Sequence, residues 1–387
     1  MCDEQKRRRK MVSKERLLRE FLSLVAIDAE SFHEGAMRDH MKKSLSALGL
    51  EVLEDDAQQK LREYGEEAGN LFARIPGTCP GRTLLFSSHM DTVKPGKGKK
   101  AVCQEDGRIC SDGTTVLGAD DAAGIAAILE AVRVILENDL PHPDIELLFP
   151  VAEELYGKGS SVFDYDRIRA RDAYVLDLTG RIGTAALRAP TILSLDILVK
   201  GRAAHAGFAP EEGINALSAA ASALQEIRTG RVTKETTVNF GQISGGKGRN
   251  IVPEEIRISG EVRSLVHAEA LRRSEEIAAV FRKNAEENGA SAEVTVREEV
   301  RAFATGPDAY TVKRLQRAVR ELWDGETQFV STFGGSDQNN FALHGIEGIV
   351  LARAMNEVHS VREYTETDEL VRCAELTLKL MTLPDRE

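Results

Sequence analysis

The chain has 387 residues, of which 42% are hydrophobic and 29% charged, and its formal charge is −11. That length exceeds the usual reach of one hydrophobic core, so two domains are expected. The negative balance excludes nucleic acid and an anionic membrane as main partners, and no apolar run has the length of a membrane span or a signal-peptide core.

The Lys6-Arg-Arg-Arg-Lys10 cluster reads as a solvated terminus, or else as an address or anion contact, and Met11 is an alternative start to Met1. Ser13 is a candidate N-cap for a first helix that places Leu17, Leu18, Phe21, Leu22 and Val25 at helical spacing. A second helix is predicted over residues 34–48, stopping at Gly49. A strand follows at 70–75, then another carrying the apolar Leu84-Leu-Phe86 run, then a hairpin of 101–104 and 108–111 around Asp106-Gly107. An alanine-rich helix covers 122–137, and further strands cover 145–151 and 174–178. Strand and helix thus alternate as in a covered, mainly parallel sheet.

The pattern changes after Gly183. A strand at 192–200 alternates apolar and polar residues; a helix at 213–228 follows, then strands at 236–243 and 255–262, a helix at 268–288 and a strand at 292–297. That β-α-β-β-α-β order is a ferredoxin-like α+β domain. It interrupts an α/β domain that resumes with helix, strand and helix, so the expected division is 1–186, 187–300 and 301–387. The cysteines Cys2, Cys79, Cys103, Cys110 and Cys373 are odd in number and form no Cys-x-x-Cys pair, so they read as reduced thiols of a cytoplasmic protein. A Cys103–Cys110 pair facing across the hairpin is the alternative.

His89 and Asp91 stand just after the apolar Leu84-Leu-Phe86 run, where open α/β folds place their chemistry. A histidine there can bind metal through one ring nitrogen while an aspartate two positions on holds the other in the required tautomer. Asp120 and Asp121 follow Gly118 at a helix start. They read either as an N-cap with a first-turn acid or as a carboxylate that bridges two metal ions. Glu153 and Glu154 end the strand from Ile145. They read as an exposed loop, or as one ligand beside one group that reaches a metal-bound water. Asp177 ends the Tyr174-Val-Leu run and reads as a solvated strand end or a ligand. Carboxylate and imidazole donors together suit zinc, with cobalt or manganese as substitutes. Gly245-Gly-Lys-Gly-Arg249 lacks Walker spacing, which excludes a phosphate cradle. His33, His40, His142, His267 and His344 fall outside these contexts.

The ordered set Ser88-His-Met-Asp-Thr-Val93, Leu117-Gly-Ala-Asp-Asp-Ala-Ala-Gly124, Glu153-Glu154, His205-Ala-Gly207, Asn250-Ile-Val-Pro-Glu254, Arg263-Ser-Leu265, Gly334-Gly-Ser-Asp337 and Val358-His359 resembles the peptidase T (tripeptide aminopeptidase) branch of the di-zinc metallopeptidases. The wider family includes acetylornithine deacetylase, succinyl-diaminopimelate desuccinylase, aminoacylase and glutamate carboxypeptidase. The likeness runs from about residue 14 to the C-terminal helix. It implies an α/β zinc-peptidase domain with a mixed, mainly parallel sheet, and an inserted ferredoxin-like lid that often serves dimerisation.

The resemblance also implies roles. His89, Asp120 and Asp177 would bind one zinc and Asp120, Glu154 and His359 the other, with a cis bond between Asp120 and Asp121. Asp91 would orient His89, and Glu153 would be the general base for a metal-bridging hydroxide. His205, otherwise a polar loop residue, would stabilise the oxyanion, and Asn250 and Arg263 would hold the substrate carboxylate. Ser336 and Asp337 read equally as substrate contacts or as a Gly-rich turn. Within the family, aspartate at the Asp177 position accompanies aminopeptidases, so the implied activity is removal of the N-terminal residue from short peptides. The alternatives are an N-acyl-amino-acid deacylase or carboxypeptidase, and a catalytically inactive peptide-binding protein. Ala122, Leu178-Thr-Gly180, Gln338 and Arg353 depart from the commonest family pattern close to the site.

Overall fold

The structure is a computed structural model that describes residues 12–385. Met1, Cys2, the Lys6–Lys10 cluster and Met11 lie outside the described residues. The chain divides into two compact units. One holds everything described up to Arg188, Ala304–Ser331 and the residues from Ser336 onward; the other holds Ala189–Phe303 with Thr332–Gly335.

The first unit is built on a mixed sheet. Its centre is four parallel strands in the order Ile145–Phe149, Leu84–Ser87, Asp172–Leu178 and Glu347–Ala352. Leu71–Ile75 joins one side antiparallel, with Val52–Glu54 outside it. Thr184–Ala189 joins the other side antiparallel, and Gln328–Ser331 pairs parallel to Thr184–Ala189. The central strands are buried on both faces, which is why they read as continuous apolar runs rather than alternating ones.

Helix Ala119–Glu137 packs against Lys14–Val25 and Thr367–Thr382 and is buried on nearly every side. Its alanines and glycine let neighbours approach closely on all faces. A buried acid in this helix, Glu130, accepts from Arg16 Nε and Nη2 at 2.7 and 2.8 Å and from the Ser13 N–H at 2.8 Å. Ser13 is the N-cap of the first helix, as its position suggested. The hairpin forms from Ala101–Cys103 and Arg108–Ser111, and Tyr364–Glu366 adds a third strand. Its register sets Cys103 opposite Ile109 and Cys110 opposite Val102. Side chains alternate along a strand, so the two thiols point to opposite faces and do not meet; both are free.

The second unit is a five-stranded antiparallel sheet in the order Gly230–Arg231, Thr236–Gly245, Glu255–Ser264, Thr191–Lys200 and Ser291–Val300. Helices Ala216–Glu226 and His267–Glu287 pack together on it over a core that includes Leu193, Leu195, Ile197, Val199, Ala219 and Phe281. The first of these helices starts later than its apolar pattern suggests, because Asn215 caps it by accepting from the Leu217 and Ser218 N–H groups.

Candidate metal centre

The parallel strands deliver their functional residues at their carboxyl ends. Leu84–Ser87 leads to Ser88 and His89, Ile145–Phe149 to Glu153 and Glu154, Asp172–Leu178 carries Asp177, and Glu347–Ala352 leads to Arg353. Asp120 and Asp121 sit at the start of the buried helix, where both depart from helical φ/ψ and are joined by a cis peptide bond. Regular helix therefore begins after them, close to the expected position 122.

Asp120 is the centre of the constellation. Its Oδ1 lies 3.0 Å from His89 Nε2 and its Oδ2 lies 3.2 Å from His359 Nε2. His359 Nε2 also lies 3.0 Å from Glu154 Oε2. Donor atoms of His89, Asp120 and Asp177 all lie within 4.8 Å of one another, and so do those of Asp120, Glu154 and His359. Two donors held tetrahedrally on one zinc at about 2.0–2.1 Å are about 3.3 Å apart, so these histidine–carboxylate spacings already match a shared ion. Imidazole and carboxylate oxygen are also the donor types that zinc, cobalt and manganese accept. The residues present fit a metal centre with Asp120 common to two positions.

Electrostatics at the cluster point the same way. Burial pushes Glu154 up to about 7, with Asp120 adding to the rise. Burial also raises Asp177, against the pull of Arg353. Burial, then the charge of Asp177, holds Glu153 well above the ordinary carboxylate range. Hydrogen bonds that its ring donates to the Asp120 and Glu154 carboxylates raise His359 to about 10. Too many acids share too little solvent here, and divalent cations would relieve that crowding.

Asp91 does more than orient a ring. His89 Nδ1 lies 3.0 Å from the Asp91 carbonyl oxygen and 3.2 Å from Asp91 Oδ1. The same carboxylate accepts from the N–H groups of Glu153 at 2.9 Å and Glu154 at 3.1 Å, and from Ser31 Oγ at 2.7 Å. It ties the histidine to the Glu153-Glu154 turn, which is entered and left through left-handed backbone at Ala152 and Tyr156.

Several supporting groups carry no sequence signal of their own. Glu363 accepts from the N–H groups of Gly118 at 2.7 Å and Asp120 at 2.9 Å, and Glu34 accepts from Ala152 at 2.8 Å. Asp121 does not face a ligand position. It accepts from the N–H groups of His89 at 3.1 Å and Gly124 at 3.1 Å, and it pairs with Arg353. Gly124 has to be glycine, since a Cβ there would lie 2.3 Å from Asp121 Oδ1.

Ser336 and Asp337 are buried in the first unit. The Ser336 N–H donates to Asn339 Oδ1, and Asp337 accepts from Ser160 Oγ at 2.5 Å. In the second unit Arg263 is held bidentately by Glu261 and donates to the Phe333 carbonyl at 2.8 Å. Asn250 is exposed, and its carbonyl accepts from Ala206. His205 is exposed, stacks on Phe208 and accepts at Nδ1 from the N–H groups of Gly207 and Phe208. In its neutral form the ring therefore carries its proton on Nε2.

An open mixed sheet thus gathers carboxylates and imidazoles around a shared aspartate as a donor set for metal ions, and comparison with known proteins supplies the class. The peptidase dimerisation domain family matches residues 189–289, and peptidase family M28 matches residues 70–223. The chain is 38% identical over 371 residues to the YqjE protein of Bacillus subtilis, covering 96% of this chain and 99% of that one. It superimposes on aminopeptidase PepT from Bacillus cereus with a TM-score of 0.87 at 38% identity, over 96% of this chain and 99% of that one. A tripeptidase from Staphylococcus aureus gives 0.92 at 33% identity, with the same coverage. The chain belongs to the peptidase T-like branch of the M20 metallopeptidases. It is a peptidase, with the mixed α/β sheet and inserted domain that the sequence pattern led one to expect. Among the described residues no helix is long and apolar enough to cross a membrane.

Proposed function

We propose that the protein is a di-zinc aminopeptidase that removes the N-terminal residue from short peptides, tripeptides above all. The observation that carries this is the pair of donor groups sharing Asp120, with Glu153 buried beside them. His89, Asp120 and Asp177 would hold one ion and Asp120, Glu154 and His359 the other. Bound divalent ions supply a polarised scissile carbonyl and a water of lowered pKa.

The chain's own residues do the rest. Glu153 takes the proton of the attacking water and returns it to the leaving amine. Burial and then the charge of Asp177 push its pKa upward, and bound cations would oppose that rise. Asp91 fixes Glu153, Glu154 and His89 in one hydrogen-bonded frame. His205 offers Nε2–H as the donor for the developing oxyanion, its Nδ1 being occupied by two backbone N–H groups. Asn250 and Arg263 would receive the substrate carboxylate, and Ser336 and Asp337 are the remaining candidates for substrate contact.

The names of the B. cereus and S. aureus relatives support the aminopeptidase reading over a deacylase or carboxypeptidase. The match to the peptidase dimerisation domain family supports a homodimer formed through residues 189–289, and the free cysteines support a reducing, cytoplasmic setting. The test is mass spectrometry of products from tripeptides with free and acetylated N-termini, incubated with metal-loaded protein. Loss of one N-terminal residue from the free peptides alone is expected. Cleavage confined to the acetylated peptides would move the activity to the deacylases.

A further inference from the structure

Arg353 stands out among the groups around Asp120. It follows the last residue of the Glu347–Ala352 strand and is fully buried. Its Nη2 lies 2.5 Å from Asp120 Oδ1 and 2.8 Å from Asp177 Oδ1, while its Nη1 lies 2.9 Å from Asp121 Oδ1 and 3.1 Å from the Ala119 carbonyl. Arginine does not lose its proton in proteins, so this is a permanent cation set among the carboxylates. Its Nε has no hydrogen-bond partner among the described residues. The side chain is thus held by the acids rather than by a fully satisfied pocket.

The contacts are asymmetric. Both carboxylates of the His89, Asp120 and Asp177 group are touched by the guanidinium, each through Oδ1. The Asp120, Glu154 and His359 group uses Asp120 Oδ2 and Glu154, and Arg353 touches neither. The guanidinium therefore lies directly against both acids of the first group, but against only the shared acid of the second, with its other edge on Asp121. Cation affinity at oxygen-rich sites follows the charge of the ligand set.

We infer that Arg353 is a positioning residue that makes the two cation positions unequal: it weakens divalent-cation binding by the His89, Asp120 and Asp177 group and holds Asp120 and Asp177 in place when no cation is bound. The inference rests on the metal-centre reading of the proposed function. Arg353 stabilises the metal-free protein by neutralising crowded acids, and every cation that enters beside it meets its charge. Metal binding and the guanidinium therefore compete for the same carboxylate oxygens.

The experiment is a zinc titration of the metal-free full-length protein against a chromophoric chelator, with the number of bound ions counted by native mass spectrometry. Native protein should take up two ions with dissociation constants at least about tenfold apart, a spacing that one extra unit charge at short range readily produces. Repulsion between adjacent ions also separates two constants, so the decisive sample is Arg353→Gln. In that variant the weaker constant should tighten at least about tenfold while the tighter one stays within about threefold. Its melting temperature should fall more in the metal-free form than in the loaded form. Arg353→Lys keeps the charge, so its weaker constant should stay within about threefold of native.

Native constants closer than about tenfold would overturn the inference without any variant, should Arg353→Gln fail to fold. Unchanged constants in Arg353→Gln, with both forms destabilised equally, would mark a merely structural residue and overturn it too. Failure of the native protein to bind any zinc would overturn the metal-centre reading itself, and with it this one.

Discussion

Asp91→Asn changes one atom and should damage three site residues at once. The native carboxylate accepts four hydrogen bonds, two on each oxygen: the Glu153 N–H and His89 Nδ1 on Oδ1, Ser31 Oγ and the Glu154 N–H on Oδ2. An asparagine keeps one acceptor oxygen. If that oxygen takes the Oδ1 position, its amide NH2 faces Ser31 and Glu154. The Ser31 hydroxyl can rotate to accept, but the Glu154 N–H meets another donor. A buried donor left unpaired costs about 1–3 kcal/mol, and the surviving bonds lose their charge assistance, so the total is about 2–4 kcal/mol. Flipping the amide strands the Glu153 N–H instead and gives no escape. Because the stranded groups belong to the turn that carries Glu153 and Glu154, turnover should fall about 100-fold or more. Guanidinium denaturation of the metal-free protein and tripeptide kinetics of the zinc-loaded protein measure the two effects. Ser31→Ala, which removes only one hydroxyl donor, should cost under about 1 kcal/mol and keep most activity. An Asp91→Asn protein with native stability and native kcat would refute the assignment of Asp91 as the frame of the site.

Glu153→Gln should lower kcat by about 100-fold or more while zinc content by atomic absorption is unchanged; native turnover would remove Glu153 as the base. Gly124→Ala places a Cβ 2.3 Å from Asp121 Oδ1 and 2.6 Å from Ser88 Oγ, so the Asp121 carboxylate must leave the His89 N–H, at a stability cost of about 1–3 kcal/mol in a thermal melt. Full stability with full zinc affinity in that variant would show that Asp121 is free to move. Glu34, paired with Glu66 and close to Asp91, is raised above its ordinary value of 4.5 chiefly by burial. The native state therefore binds the extra proton, and the stability that this confers is present below about pH 4.5 and lost as pH rises through the native value. Glu34→Gln mimics the protonated acid, so its stability relative to native should grow from pH 5 to pH 9, and parallel denaturation profiles would exclude the buried proton.

The residues around Asp120 were legible because each follows an apolar strand or opens a helix, and strand ends converge in this class of sheet. Local pattern offered His89, Asp177 and the Glu153-Glu154 pair as candidates beside blander readings, and the ordered likeness to a family supplied their roles. What the pattern could not carry was reach between distant segments. Arg353 meets Asp120 across 233 positions, and Glu363 meets it across 243. Sequence singled out Arg353 only as a departure, since nothing local says which acids a strand-end arginine will touch. The double duty of Asp91 was hidden for the same reason, because its partners at Glu153 and Glu154 arrive on another strand. Sheet order was likewise illegible: period and composition announce strands but not neighbours, and the place of Glu347–Ala352 beside Asp172–Leu178 emerges only in the fold. Helix boundaries shifted where side-chain capping decided them, as at Asn215.

Anomalous X-ray scattering from a crystal grown at saturating zinc tests the central claim most directly. Two peaks are expected on either side of the Asp120 carboxylate, one contacted by His89 and Asp177 and the other by Glu154 and His359. Zinc bound elsewhere, with Asp120 still closed onto the two histidines, would contradict the metal centre and the peptidase chemistry built on it.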